Sequence, residues 1–209
     1  MLYLSRLTLN PRSRQVRAEL NNPYEMHRTL LQGLDTCRKD AAMLFRVDVD
    51  RASGVPTVLV QSRLQPDWES VFANRDYLLP HLPGNPALKA ISPRFAAGQL
   101  LQFRLRANPT VKRNGKRSGR YGENEQREWL ERKLITAGCQ LVMCQIVKED
   151  LIEASKHEAG QRVNMPLLAV RFDGALQVAD PDLLKRALDQ GLGSAKAFGF
   201  GLLSLAPAR

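Results

Sequence analysis

The chain has 209 residues, 44% hydrophobic and 25% charged, the balance of an ordinary globular protein with a real core, which excludes disorder and collagen-like repeats. Its 31 Lys and Arg against 21 Asp and Glu leave a formal charge of +10, which favours a polyanionic partner. No run approaches the roughly 18 apolar residues of a spanning helix, and Met1 to Leu9 is too short and too alternating for a secretory signal; the three cysteines, Cys37, Cys139 and Cys144, lack C-x-x-C spacing, so a reducing cytoplasm is expected rather than a disulfide framework or a zinc ribbon.

Leu2/Leu4 and Leu7/Leu9 alternate with polar residues and predict a first strand. A helix follows, announced by Asn22 as cap, Pro23 at the first helical position and Glu25 placed for a capping box, and running to about Leu34 with Gly33 near its end. Met43 to Val49 and Val55 to Gln61 read as strands around the turn Arg51-Ala52-Ser53-Gly54. Pro66, Pro80, Pro83, Pro86 and Pro93 break up the next stretch, leaving a short helix near Asp67 to Ala73 and a strand around Leu88 to Ser92. The order then repeats: a strand Leu100 to Arg106, a helix Glu123 to Ala137, strands Cys139 to Val147 and Met165 to Val178, a helix Asp180 to Gln190 and a strand Gly201 to Leu205. Two β-α-β-β-α-β units make an α+β chain of tandem ferredoxin-like domains, 1–94 and 95–209, each resembling an RNA-recognition motif in element order.

On the first predicted helix, at about 100° per residue, Met26, Leu30 and Leu34 form an apolar stripe, flanked by Tyr24, His27 and Leu31. Tyr24 and His27, three apart, are neighbours on the expected border between core and solvent, near a helix N-terminus that attracts phosphate. Attack of a ribose 2′-OH on the adjacent phosphate needs one proton removed and another delivered, and an imidazole can do either without a metal. A phenol is a poor base at neutral pH but a competent donor. The bland alternative is a half-buried packing histidine beside a border tyrosine. The other two histidines, His81 and His157, fall in segments that read as exposed loops.

Leu101 to Tyr121 carries Arg104, Arg106, Lys112, Arg113, Lys116, Arg117 and Arg120 and no acid, the composition of a phosphate-binding surface; the alternative is a solvated charged loop. Arg104 and Arg106 share one strand face, and Thr110 to Gly122, with Gly115, Gly119 and Gly122, reads as a mobile loop. Arg127, Arg132 and Lys133 are interleaved with Glu123, Glu125, Glu128 and Glu131, so surface pairing explains them equally well. Gly160 can turn a hairpin presenting Lys156, His157 and Arg162. The glycine-rich end, Gly191 to Gly201, fits neither phosphate-loop nor dinucleotide fingerprints, so no ATP or NAD cofactor is expected. Its backbone N–H groups and Lys196 can cradle an RNA phosphate or simply form a tight helix-to-strand connection. Asp48 and Asp50 alternate on a strand without a third acid or histidine nearby, which argues for a hairpin end rather than a metal site.

Three segments together resemble the CRISPR-associated endoribonuclease CasE family, the repeat-processing subunit of the Cascade surveillance complex. They are Asn22-Pro23-Tyr24-Glu25-Met26-His27-Arg28-Thr29-Leu30, Phe103-Arg104-Leu105-Arg106-Ala107-Asn108-Pro109 and Gly199-Phe200-Gly201-Leu202-Leu203-Ser204-Leu205-Ala206-Pro207. The resemblance spans nearly the whole chain. It implies tandem ferredoxin-like domains, metal-independent cleavage at the 3′ base of the CRISPR repeat stem-loop with a 2′,3′-cyclic phosphate product, retention of the mature crRNA, and assembly with other Cascade subunits away from any membrane. It places His27 and Tyr24 at the family's active-site positions and the basic strand, the hairpin near Lys156 and the glycine-rich end in RNA-contacting regions; Arg28 is a further expected RNA-binding residue. Some relatives carry a Lys at the position of Gln32; here the charge would have to come from Arg28, Arg38 or Lys196. A non-catalytic RNA-binding scaffold of the same fold is the competing expectation.

Overall fold

A computed structural model describes residues 1–34, 41–73, 75–113, 116–158 and 161–208, with the side chains of 113, 116, 150, 153–158 and 161–165 outside that description. Cys37 and Arg38 lie outside the described residues. The chain forms two compact units. One comprises Met1–Ser92 with Ala154–Asn164 and Ala197–Gly199; the other comprises Pro93–Glu153, Met165–Lys196 and Phe200–Arg209.

The first unit runs β1 (Leu2–Thr8), α1 (Arg14–Asn21), α2 (Pro23–Leu31), β2 (Leu44–Val49), β3 (Pro56–Ser62), α3 (Trp68–Phe72) and β4 (Ala87–Ile91). Its sheet has the order β2-β3-β1-β4, so β1 lies between β3 and β4, antiparallel to both, with Leu7 opposite Val58 and Ser5 opposite Leu88. That order is the split βαβ arrangement of a ferredoxin-like fold. Because successive strand residues alternate in direction, Leu7, Phe45, Val58 and Val60 share the face on which Val16, Met26, Leu30, Trp68 and Phe72 pack. α1 is an addition to the expected pattern. Ser13 caps it by accepting from the Val16 N–H at 3.5 Å, and its inward face is short, with Val16 and Glu19 buried and Leu20 packed beside them.

The second unit repeats the order: β5 (Leu100–Ala107), β6 (Thr110–Arg113), β7 (Lys116–Gly119), α4 (Glu123–Thr136), β8 (Cys139–Glu158), β9 (Gln161–Val178), α5 (Pro181–Gln190), a 3-10 turn (Lys196–Phe198) and β10 (Leu203–Pro207). The sheet order β10-β5-β9-β8 is again ferredoxin-like, so the chain is an α+β protein with two such units in tandem. Leu101, Phe103 and Leu105 alternate into a core with Trp129, Leu130, Leu134, Phe172, Leu176 and Leu184. Asp180 caps α5 through its carboxylate, accepting from Asp182 and Leu183 N–H groups. Gly174 marks the closest approach of β9 to β8: a Cβ there would stand 2.1 Å from the Met143 carbonyl oxygen. The segment read as a loop, Thr110 to Gly122, instead contains a two-stranded antiparallel hairpin, β6–β7, with Val111 opposite Ser118. β8 and β9 also run on toward each other well past the expected Val147 and Met165 ends, to Glu158 and from Gln161.

Candidate active site and nucleic-acid interface

α2 is set by its entry and its buried face. Pro23 occupies its first turn, the Asn22 carbonyl accepts from Glu25 N–H at 3.0 Å, and the Asn22 side chain makes no capping bond, so the expected capping box is absent. Met26 and Leu30 are fully buried. Removing such a side chain typically costs about 2–5 kcal/mol. Toward its other end, the Gly33 carbonyl accepts from Asp67 N–H at 2.8 Å, tying the exit of α2 to the entry of α3.

Tyr24 and His27 come together as expected, with ring centroids 6.3 Å apart. His27 departs from the expected solvent border, being only 3% exposed and stacked on Phe45 at 6.0 Å, whereas Tyr24 is half-buried, as a border residue would be, and leans on Phe198 at 5.6 Å. The helical stripe alone places His27 at an edge; Phe45 from β2 and Phe198 from the glycine-rich end extend the covered area past that edge. Neither ring was singled out beforehand, although Phe198 lies inside the glycine-rich segment that was.

The helix is also clamped from below by a buried carboxylate. Glu19 of α1, 5% exposed, accepts from Thr29 Oγ1 at 2.7 Å, from Tyr77 Oη at 2.5 Å and from Gln15 Nε2 at 2.8 Å. Burial, then the adjacent Glu19 charge, pushes the Tyr77 phenol well above its ordinary range and keeps it a donor. Thr29 stands two positions beyond His27, so the network fixes the turn that carries the imidazole.

Gln32, just past the end of α2, has a partner from outside the helix. Arg75 Nη2 donates to Gln32 Oε1 at 3.0 Å, delivering a guanidinium to the end of α2 from a distant part of the sequence. Arg28 is exposed on α2 and pairs with Glu25 at 3.0 Å. Asp48 accepts from Arg46 Nε at 3.1 and 3.0 Å. Asp50 accepts from Ser53 N–H at 2.8 Å, the Ser53 hydroxyl at 2.7 Å and Ala52 N–H at 3.1 Å, bonds that hold its carboxyl below the usual range. The two aspartates thus serve a salt bridge and a turn.

In the second unit Arg104 and Arg106 do project from one face of β5, opposite the core face. They find acids that the local sequence lacks: Arg104 Nε lies 2.5 Å from Asp173, Arg106 Nε 2.6 Å from Glu149, and Arg106 stacks 5.0 Å from the Phe200 centroid. Arg171 shares Asp173 at 3.0 Å. Arg120 is paired with Glu125 at 2.6 Å, whose carboxyl it holds low together with the Gly122 N–H. In the β6–β7 hairpin Lys112 is directly opposite Arg117, and Arg113 opposite Lys116. Like charges directly opposite each other destabilise a strand pair. Lys156 and Arg162 fall on β8 and β9 near their shared end, with side chains outside the described residues. Lys196 donates to the Gln190 carbonyl. Around it, Gly201 N–H donates to the Arg106 carbonyl and Leu192 N–H to the Gly201 carbonyl, the tight helix-to-strand connection that was the alternative for this segment.

The matches to known proteins run over the full chain. Cse3, a CRISPR-associated endoribonuclease of Thermus thermophilus, is 37% identical over 99% of this chain and 100% of its own length. The CRISPR system Cascade subunit CasE of Escherichia coli is 31% identical over 99% and 100%. The structure of Thermus thermophilus Cse3 bound to an RNA representing a pre-cleavage complex superposes with a TM-score of 0.82 at 35% identity, covering 99% of both chains. With the CRISPR associated protein family model also matching residues 2–207, the chain belongs to that family and is of the CasE/Cse3 type.

Proposed function

We propose that the chain is an endoribonuclease that processes CRISPR repeat RNA, cutting at the 3′ base of the stem-loop without a metal. The observation that carries this reading is full-length likeness to a protein named a CRISPR-associated endoribonuclease, in a chain whose α2 brings Tyr24 and His27 side by side. In the proposed reaction the 2′-OH attacks the adjacent phosphorus, the P–O5′ bond breaks, and the products are a 2′,3′-cyclic phosphate and a 5′-OH. His27 takes or delivers the moving proton; Tyr24 orients the phosphate by hydrogen bonding. Arg28 and Arg75 supply charge at α2, and Arg104, Arg106, Lys112, Arg113, Lys116, Arg117, Arg120, Lys156, Arg162 and Lys196 are the proposed RNA-binding set. The mature crRNA stays bound, and the other Cascade subunits assemble on that complex in the cytoplasm.

The burial of His27 favours a second reading, a non-catalytic RNA-binding scaffold in which the imidazole only packs. One experiment separates the two. Wild type should cleave its repeat RNA in EDTA, and His27→Ala should bind equally well while cleaving about 10²- to 10⁴-fold more slowly. A 2′-deoxy nucleotide at the cut site should abolish cleavage. Cleavage that vanishes on chelation, or survives His27→Ala unchanged, would overturn the proposal. Product RNA that elutes separately from the protein on gel filtration would refute retention.

A further inference from the structure

We propose that the second unit holds a dedicated phosphodiester pocket formed by Arg117, Lys133, Thr110 and Ser194 above Trp129. These residues line a cleft of about 170 Å³ together with Gly193. A cleft of that size admits a phosphate group together with waters. Two cations and two hydroxyls face the cleft, and among the described residues no carboxylate lines it. By contrast, four arginines elsewhere in this unit, Arg104, Arg106, Arg120 and Arg171, each have an acid within 3.0 Å.

The local backbone is arranged around the cleft. Trp129, 2% exposed, donates from Nε1 to the Thr110 carbonyl at 3.1 Å, fixing the start of β6 over the indole. Gly193, at φ +86°, runs across the other side of that ring; a Cβ there would be strained and only 3.1 Å from Trp129 Cζ2. Glycine therefore lets the segment drop close enough for Ser194 Oγ to reach 3.3 Å from Thr110 Oγ1. Arg117 Nη1 donates to the same Thr110 oxygen at 3.5 Å. Thr110 then has its own proton for Ser194 or for an anion, and Lys133, in the last turn of α4, contributes a charge that the sequence left among surface pairs. Lys112, directly opposite the lining Arg117 in the β6–β7 register, adds a further positive charge beside the cleft. The assignment of the anion to RNA rests on the endoribonuclease reading; the anionic character of the ligand does not.

The test uses the full chain, its repeat stem-loop RNA and inorganic phosphate. Affinity for the RNA is measured between about 50 and about 200 mM salt for wild type, Lys133→Gln, Lys133→Arg, Ser194→Val and, as a control outside the pocket, Lys185→Gln. Thermal unfolding confirms that each variant folds, and is repeated in phosphate against chloride at equal ionic strength. Lys133→Gln is expected to bind about five- to tenfold more weakly, with a salt slope shallower by about 0.9. Lys133→Arg should recover most of the loss, Ser194→Val should reproduce part of it, and Lys185→Gln should match wild type. A Lys133→Gln protein with wild-type affinity and slope overturns the pocket, as does a pocket that responds to free phosphate alone. Failure of wild type to bind the RNA overturns the endoribonuclease reading instead, and the RNA assignment with it.

Discussion

Glu19→Ala is the substitution whose consequence is best fixed by geometry. The carboxylate accepts three hydrogen bonds, and the partners differ in what they can recover without it. Gln15 is exposed and can turn to water; Tyr77 is fully buried and Thr29 is 5% exposed, so both hydroxyls are stranded. Each buried donor left without a partner costs about 1–3 kcal/mol. The pair therefore sets a loss of about 2–6 kcal/mol, lowered by whatever desolvation penalty is relieved with the carboxylate. Equilibrium urea unfolding should show this as a lower midpoint with an unchanged m-value. Glu19→Gln keeps the shape but can accept with only one oxygen, and should lose about half as much. Combining Glu19→Ala with Tyr77→Phe should cost less than the sum of the singles by about 1–3 kcal/mol, because the stranded phenol is gone. A Glu19→Ala protein within about 1 kcal/mol of wild type would refute the network as a structural clamp.

Alkaline pH attacks the same network. Tyr77 has a folded pKa raised above its unfolded value near 10, so its contribution is complete below that value and is lost as pH rises beyond it. Stability should fall by about 1.4 kcal/mol per pH unit above pH 10, a slope that Tyr77→Phe removes. Gly174→Ala should fail to accumulate as folded protein, or lose more than about 3 kcal/mol, since its methyl meets a backbone carbonyl at 2.1 Å that cannot rotate away; a wild-type melting curve would contradict the close approach. Burial pushes the Cys139 thiol up to about 11, so it should resist iodoacetamide at pH 8 in the native state and react on unfolding.

The two ferredoxin-like cycles were legible because their strands and helices carry strong periodicity, as in Leu101/Phe103/Leu105 and the Asp180-capped α5. α1 was not, because its inward face is only Val16 and Leu20 with the charged Glu19 between them, too short an apolar stripe to stand out. The β6–β7 hairpin was hidden by its composition: glycines and cations suggest a loop, whereas the pairing depends on a register that spacing does not reveal. At the site, the neighbourhood of Tyr24 and His27 followed from helical geometry alone. What lay outside local reach was everything delivered by tertiary structure: Phe45 and Phe198 over the rings, Arg75 on Gln32, and Asp173 and Glu149 on the arginines. Charge counted along a segment says which ions are present, and only the fold says which of them are already neutralised.

The position of β1 in the middle of its sheet has a consequence for the order in which the chain acquires its shape. Tyr3 lies opposite Ser62 and Leu2 opposite Ile91, so the first strand made has to wait for some of the last strands of its unit before both its edges are bonded. Closing such distant pairs is slow compared with forming a helix turn. During synthesis α2 can therefore coil while its seat on Phe45 and Val58 is still missing. The seat of the Tyr24–His27 helix on the sheet is complete only after chain as far as Ile91 has emerged, and the ring that covers Tyr24, Phe198, comes later still.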